Sequence, residues 1–201
     1  MSRIQRKNRE AILSAALDMF SQHGFKGATL DQIAAQAGLS KPNLLYYFPS
    51  KEEIHRALLN SLLDQWLLPL NSISAKGEPL QEILSYMRRK LELVRIAPRE
   101  SRIFASLILL GAPHSHPALE EEVRRLVLEK AIVLRDWMDR GLIARCDPVH
   151  LIFAIWTLTQ QYAECGLPFR VVLGEHYDPH QEAEVFLEQV LRRMLRPRPQ
   201  W

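Results

Sequence analysis

Between residues 29 and 51 the chain reads TLDQIAAQAGLSKPNLLYYFPSK, and the order of its helix signals leaves little conformational choice. Thr29 can accept a hydrogen bond from the free amides of a following turn, and Asp31 suits the positive end of that helix's dipole. Ile33, Ala34 and Ala37 recur at helical spacing and form the face expected to turn inward. Ala34 is small enough to let another helix approach closely. Gly38, directly after Ala37, fits a left-handed helix stop. Ser40 then restarts a helix, with Pro42 in its first turn, where a missing amide costs little. Leu44, Leu45 and Phe48 give this second helix an apolar face, while Lys41, Asn43 and Tyr47 point the other way. Two short helices, a tight turn and a polar-headed second helix form the arrangement that lays side chains into a DNA major groove. The alternative these residues leave open is a helical hairpin inside an ordinary all-α core.

The same residues resemble a family. Gly38-Leu39-Ser40-Lys41 followed by Tyr47-Phe48-Pro49-Ser50-Lys51 is similar to the DNA-binding signature of the TetR family of bacterial regulators. Upstream, AILSAALDMFSQHGFKGATLDQIA (11–34) resembles that family's first helix and its entry into the second. The resemblance implies a three-helix DNA-binding domain over residues 1–50 whose partner is a double-stranded DNA operator. Candidate DNA contacts are Thr29, Ser40, Lys41, Asn43, Tyr46, Tyr47 and Lys51. Thr29 and Lys51 stand at helix starts, where phosphates are usually held. Family members often carry Tyr where this chain has Leu45, so a contact made there in relatives is lost here or moved to Tyr46.

The distribution of charge agrees with a phosphate partner. Residues 1–60 hold eight Lys or Arg against five Asp or Glu, whereas residues 61–201 hold 18 of each. The whole formal charge of +3 therefore falls in the segment with the helix-turn-helix. Apolar residues make up 47% of the chain, enough for a substantial core, yet no run of 18 apolar residues occurs. The basic start MSRIQRKNRE has no long apolar stretch behind it, so neither a signal peptide nor a membrane span is expected. Two cysteines, Cys146 and Cys165, are too few for a disulfide framework. They are expected as buried thiols in a cytoplasmic protein.

Further along, helical patterns follow one another, and the fold expected is all-α with about nine helices. Ile12, Ala16, Met19 and Phe20 mark a helix over about 4–22 that Gly24 ends. A helix from about 51 begins with Ser50, Glu52 and Glu53 and carries Ile54, Leu58, Leu62 and Trp66, with a kink near Pro69. Leu80 to Val94 form the next, closed by Pro98, and 101–110 another. A helix over about 117–140 carries Leu119, Val123, Leu126, Ile132 and Trp137. Asp147-Pro148 opens a helix to about 165 that is apolar at nearly every position from Leu151 to Leu158, as if buried all round. Residues 166–180 read as a loop with one candidate strand, FRVVLG (169–174). The last helix, about 181–195, carries Phe186, Val190 and Met194 on one line and Leu187, Leu191 and Leu195 beside it. Two such apolar helices at the chain end suit a homodimer interface in which each copy gives a pair to a four-helix bundle, with Phe186, Leu187, Val190, Leu191 and Met194 at the contact. Packing inside a single bundle is the other reading. TetR-like proteins usually pair through their last two helices, and one recognition helix alone reads too few bases for a specific site.

Residues 51–201 are then the ligand-binding and dimerisation domain, a helical bundle with room for a pocket between its members. Trp156 and Gln160 are four apart and share a helix face. An indole plane beside a carboxamide can stack a flat ring and hydrogen-bond its ring amide. Trp66, from another helix, can close the other side. The residues alone equally allow both tryptophans to be core and Gln160 to end the buried stretch at the surface. LLDQWLLPL (62–70), SRIFASLILLGAP (101–113) and DPVHLIFAIWTLTQQYAE (147–164) resemble the family's regulators of pyrimidine utilisation. That resemblance implies an effector such as uracil or thymine, or a related cyclic amide, held by Trp66, Trp156 and Gln160. Leu107, where that branch tends to be acidic, makes the wall near it more apolar here.

No cofactor is expected. His114 and His116, and His176 and His180, have no Cys or acidic cluster at ligand spacing, so no metal site is expected. Phosphate loops, Ser-His-Asp arrays and paired carboxylates do not stand out, so an enzyme is not expected. The alternative class is a small all-α enzyme acting on a cyclic amide. The reading is of a ligand-responsive DNA-binding transcriptional regulator, a repressor by family analogy.

Overall fold

The computed structural model describes residues 3–110, 117–164, 166–174 and 176–197, and their side chains except at 106–110, 164, 166–168 and 170. The described residues form ten helices and no strand. They are α1 (Arg3–Gly27), α2 (Leu30–Gln36), α3 (Lys41–Tyr47), α4 (Lys51–Asn71), α5 (Pro79–Ile96), α6 (Pro98–Leu110), α7 (Pro117–Asp139), α8 (Pro148–Glu164), α9 (Gly166–Leu173) and α10 (Pro179–Leu195). None of the described helices is long and apolar enough to cross a membrane.

The chain divides into two compact units. The first comprises residues 1–64 and 99–119, the second residues 65–98 and 120–201. In the first, α1 packs on α2 and α2 on α3 around Ile12, Ala16, Phe20, Ile33, Ala34, Leu44, Phe48, Ile54 and Leu58, all buried. Full burial of a side chain such as Leu44 stabilises by about 1.5–3 kcal/mol, so this shared core supports α2 and α3, which are too short to be stable alone. In the second unit α5 packs chiefly on α8 and then on α10. Arg88 of α5 fastens that second contact by donating to Glu184 at 2.8 Å and to Glu188 of α10. The guanidiniums of Arg192 and Arg88 hold the Glu188 carboxyl below the usual range.

The helix punctuation expected from sequence is present, with local differences. Gly24 adopts φ 67° and ψ 174° and kinks α1, but one further turn follows before Gly27. Pro69 lies inside α4, which continues to Asn71. Pro98 opens α6 rather than closing α5, as a residue without an amide proton can in a first turn. Residues 166–173, expected as loop with a strand candidate, are helical in α9. A lone strand has no partner for its backbone groups in an all-helical protein, whereas a helix satisfies them within itself. Ile132, expected on the inner stripe of α7, is 71% exposed. The expected burial of α8 all round is not observed: Phe153 and Thr157 face outward on the single chain.

Candidate functional site

Caps hold the starts of α2, α3 and α4 in the DNA-reading head. Thr29 Oγ1 accepts from the Gln32 amide, and the Gln32 side chain accepts from the Thr29 amide at 2.9 Å, closing a reciprocal capping box at α2. Gly38 takes φ 68° in the turn, a conformation that costs other residues. Ser40 accepts from the Asn43 amide and starts α3. At α4 the Ser50 hydroxyl accepts from Glu53.

On α3, Leu44 and Phe48 point into the core one turn apart. That choice of face decides the rest. Leu45, expected on the apolar face, is exposed. Tyr46 is 71% exposed, while Tyr47, expected to project outward, is half-buried. The Tyr47 hydroxyl accepts from Asn8 Nδ2 of α1 at 3.0 Å, and the Tyr46 ring meets that of Tyr47 edge-on. Lys41 and Asn43 are exposed, with Lys41 Nζ 2.9 Å from Asp31. Lys51, expected at a phosphate, has its amine on protein instead. Nζ donates to the carbonyls of Phe25 (2.7 Å) and Ala28 (2.9 Å) and lies 4.5 Å from the centre of the Phe25 ring. The end of α1 is thereby tied to the first turn of α4. His55, packed against Phe20 and Phe25, completes that aromatic corner.

In the second unit two of the expected effector residues meet side chains of α5, Trp66 at Lys90 and Trp156 at Tyr86. Trp66 and Trp156 are buried, and Gln160, one turn from Trp156 on α8, is half-buried. Two members went unnoticed in the sequence, Tyr86 and Lys90, one turn apart on the inner face of α5. Lys90 is 4% exposed, and its Nζ lies 3.3 Å from the centre of the Trp66 ring. Burial pushes this amine well below the ordinary lysine value. Burial likewise pushes the Tyr86 phenol up, and the indole of Trp156 beside it pulls weakly the other way. No described atom makes a hydrogen bond of good geometry with the Tyr86 hydroxyl. Phe153 meets Trp156 edge-on at 5.0 Å. In the sequence, the Lys at position 90 reads as one more charge in the run MRRK; only the pairing of α5 with α8 shows that it points inward. The side chain of Leu107, on α6, lies outside the described residues.

The face expected to pair two copies divides in two. Leu187 and Leu191 are buried inside their own bundle, because this line of α10 faces the helices it packs on, α5 and α8. Phe186 (54% exposed) and Met194 (43% exposed) stand outward, and Val190 is half-buried. Val185 on α10 and Phe153 on α8 are also exposed.

Cys146, expected as a buried thiol, is exposed; Cys165, His114 and His116 lie outside the described residues. Among the described residues no group of three or more His, Cys, Asp or Glu is placed to hold a metal ion.

A capped two-helix reader with an exposed polar head, carried on the same chain as a helical bundle with a buried aromatic and polar cluster, defines a ligand-responsive, DNA-binding regulator. The chain belongs to the tetR family of bacterial regulatory proteins. Residues 12–58 match the family described as "Bacterial regulatory proteins, tetR family", and residues 59–198 the one described as "YcdC-like protein, C-terminal region". The HTH-type transcriptional regulator RutR of Escherichia coli K12 is 44% identical over 195 residues, covering 97% of this chain and 90% of that protein. Among solved structures, AibR in complex with isovaleryl coenzyme A and operator DNA superposes with TM-score 0.74 at 16% identity, over 95% of this chain and 100% of that one. The ketosteroid regulator KstR2 of Mycobacterium tuberculosis gives 0.74 at 21% identity, over 94% and 95%. At those identities the two structures share the fold.

Proposed function

We propose that this regulator is a homodimeric repressor released from its operator by a flat cyclic amide of the uracil or thymine type. The observation that carries the effector class is the α4–α5–α8 cluster, in which Trp66 meets Lys90 and Trp156 meets Tyr86, with Gln160 one turn beyond Trp156. The resemblance of residues 62–70 and 147–164 to regulators of pyrimidine utilisation supports the same reading. The ring stacks on indole, and Gln160 both donates to and accepts from the ring amide.

At the DNA, Lys41, Asn43 and Tyr46 supply the exposed contacts, and the capped starts at Thr29 and Ser40 offer amides to phosphate. Tyr47 and Lys51 position them. Phe153, Val185, Phe186 and Met194 form the apolar face against a second copy, which places two readers on one operator. Coupling runs along α4, which carries Lys51 in its first turn and Trp66 four turns later. Lys51 ties α4 to the end of α1, so an effector that shifts α4 at Trp66 biases the reader between two states.

Calorimetry with uracil and thymine, alongside operator band shifts, tests this reading. Either ring is expected to bind and to release DNA. Gln160→Leu keeps the volume but removes donor and acceptor, so it should abolish the response while fold and operator binding persist. Silence from both rings would refute the effector class.

A further inference from the structure

The face of α3 that leaves the core is not uniformly polar. Lys41 and Asn43 stand exposed on it, and so does Leu45, one turn beyond Lys41. Among the described residues of α2 and α3, Leu45 is the one Leu or Ile that stands exposed: Ile33 and Leu44 are buried, and Leu30 is half-buried. Leu45 cannot turn inward, because Leu44 and Phe48 already fill the core and fix the rotation of α3. Two ties from α1 brace the end of that helix. Asn8 Nδ2 donates to the Tyr47 hydroxyl at 3.0 Å, and Gln5 Nε2 to the Tyr46 hydroxyl at 3.4 Å. Leu45 is therefore held outward, beside the exposed Tyr46, on a helix whose orientation is set.

Its chemistry narrows what it can do there. A leucine side chain has no donor for a phosphate oxygen and nothing to pair with the polar edge of a base. In a major groove it can only cover another apolar group, and the groove offers one, the C5 methyl of thymine. That contact takes two apolar surfaces out of water together.

Resting on the reading of α3 as the helix that each of two copies lays into the operator, we infer that Leu45 is a specificity-determining residue that selects thymine at one position of each half-site through its C5 methyl. Lys41 and Asn43 engage phosphates and polar base edges; Leu45 reads a group that neither donates nor accepts. The two kinds of readout are separable, because uracil keeps every hydrogen-bonding group of thymine and lacks only the methyl. Burial of one methyl changes affinity by about fourfold, so two half-sites together change it by about fifteenfold.

The test begins with duplexes selected from a random library on the full-length protein. The selected site is resynthesised with deoxyuridine in place of thymidine, one symmetric pair of positions at a time. Band shifts then measure each duplex with wild type and with Leu45→Ala. Wild type is expected to lose about fifteenfold at one such pair, and Leu45→Ala to bind the thymine and uracil forms of that pair alike. Alanine suits an exposed helix position, so the variant should melt like wild type. A wild type indifferent to uracil at every thymine would overturn the inference, as would a methyl effect that Leu45→Ala retains at every sensitive pair. Either result would leave α3 standing as the reading helix. A library that yields no selected site would overturn that reading as well.

Discussion

Lys51 and Lys41 stand ten residues apart in the reader, and the structure gives them opposite work. The Lys51 ammonium holds two backbone carbonyls, those of Phe25 and Ala28, at 2.7 and 2.9 Å. Hydrogen bonds to a charged group are worth about 1.5–3 kcal/mol each, but this side chain is half-buried and its carbonyls can regain water, so the pair together is worth about 2 kcal/mol. In a chain of this length 1 kcal/mol moves the melting temperature by roughly 2–4 °C, so Lys51→Ala should lower it by roughly 4–8 °C. Lys41 makes an exposed ion pair with Asp31, so Lys41→Ala should change stability by about 1 kcal/mol or less. Operator binding should reverse the order in salt sensitivity. Each phosphate contact contributes about 0.9 to the slope of log K against log salt, so Lys41→Ala should make the slope shallower by about 2 per dimer. Lys51→Ala should weaken binding with the slope unchanged. Thermal melts and band shifts at four salt concentrations check both. A Lys51→Ala protein that melts like wild type and shows the shallower slope would refute the bracing role and return this amine to the phosphate.

Asn43 is exposed on α3, and Asn43→Ala should relax base preference at one position per half-site, costing about 1–3 kcal/mol there, as read by competition with singly substituted operators. Phe186→Glu together with Met194→Glu places charge on the exposed apolar line of α10, and sedimentation should show monomers that no longer bind operator; a monomeric wild type at micromolar concentration would refute the interface. Lys90 binds fewer protons in the fold than in the unfolded chain at every pH between its depressed value and the ordinary 10.5, so wild-type stability rises with pH across that window. Lys90→Met removes the penalty: melts at pH 7 should favour the variant, and the gap should close as pH approaches 10.5. Tyr86 titrates alike in both proteins and cancels.

The reader was legible residue by residue because its determinants are local. Thr29, Gly38, Ser40 and Pro42 act within four positions of themselves, through amides and φ angles that the neighbouring sequence specifies. The long helices were legible for the same reason, since apolar spacing at 3.6 residues needs no knowledge of a partner. Local pattern therefore carries the all-α fold, the capped two-helix head, the one-sided charge and the shared face of Trp156 and Gln160. Tertiary structure alone decided which line of each helix is core. Leu187 and Leu191 face their own bundle while Phe186 and Met194 do not. Tyr46 projects because Asn8 and the core claim Tyr47 and Leu44. Residues 166–173 coil because no strand is there to pair with them. Lys90 is the sharpest instance: in sequence it ends a basic run, and only the approach of α8 and Trp66 removes its amine from water. Burial depends on atoms brought from far along the chain, and no local pattern records it.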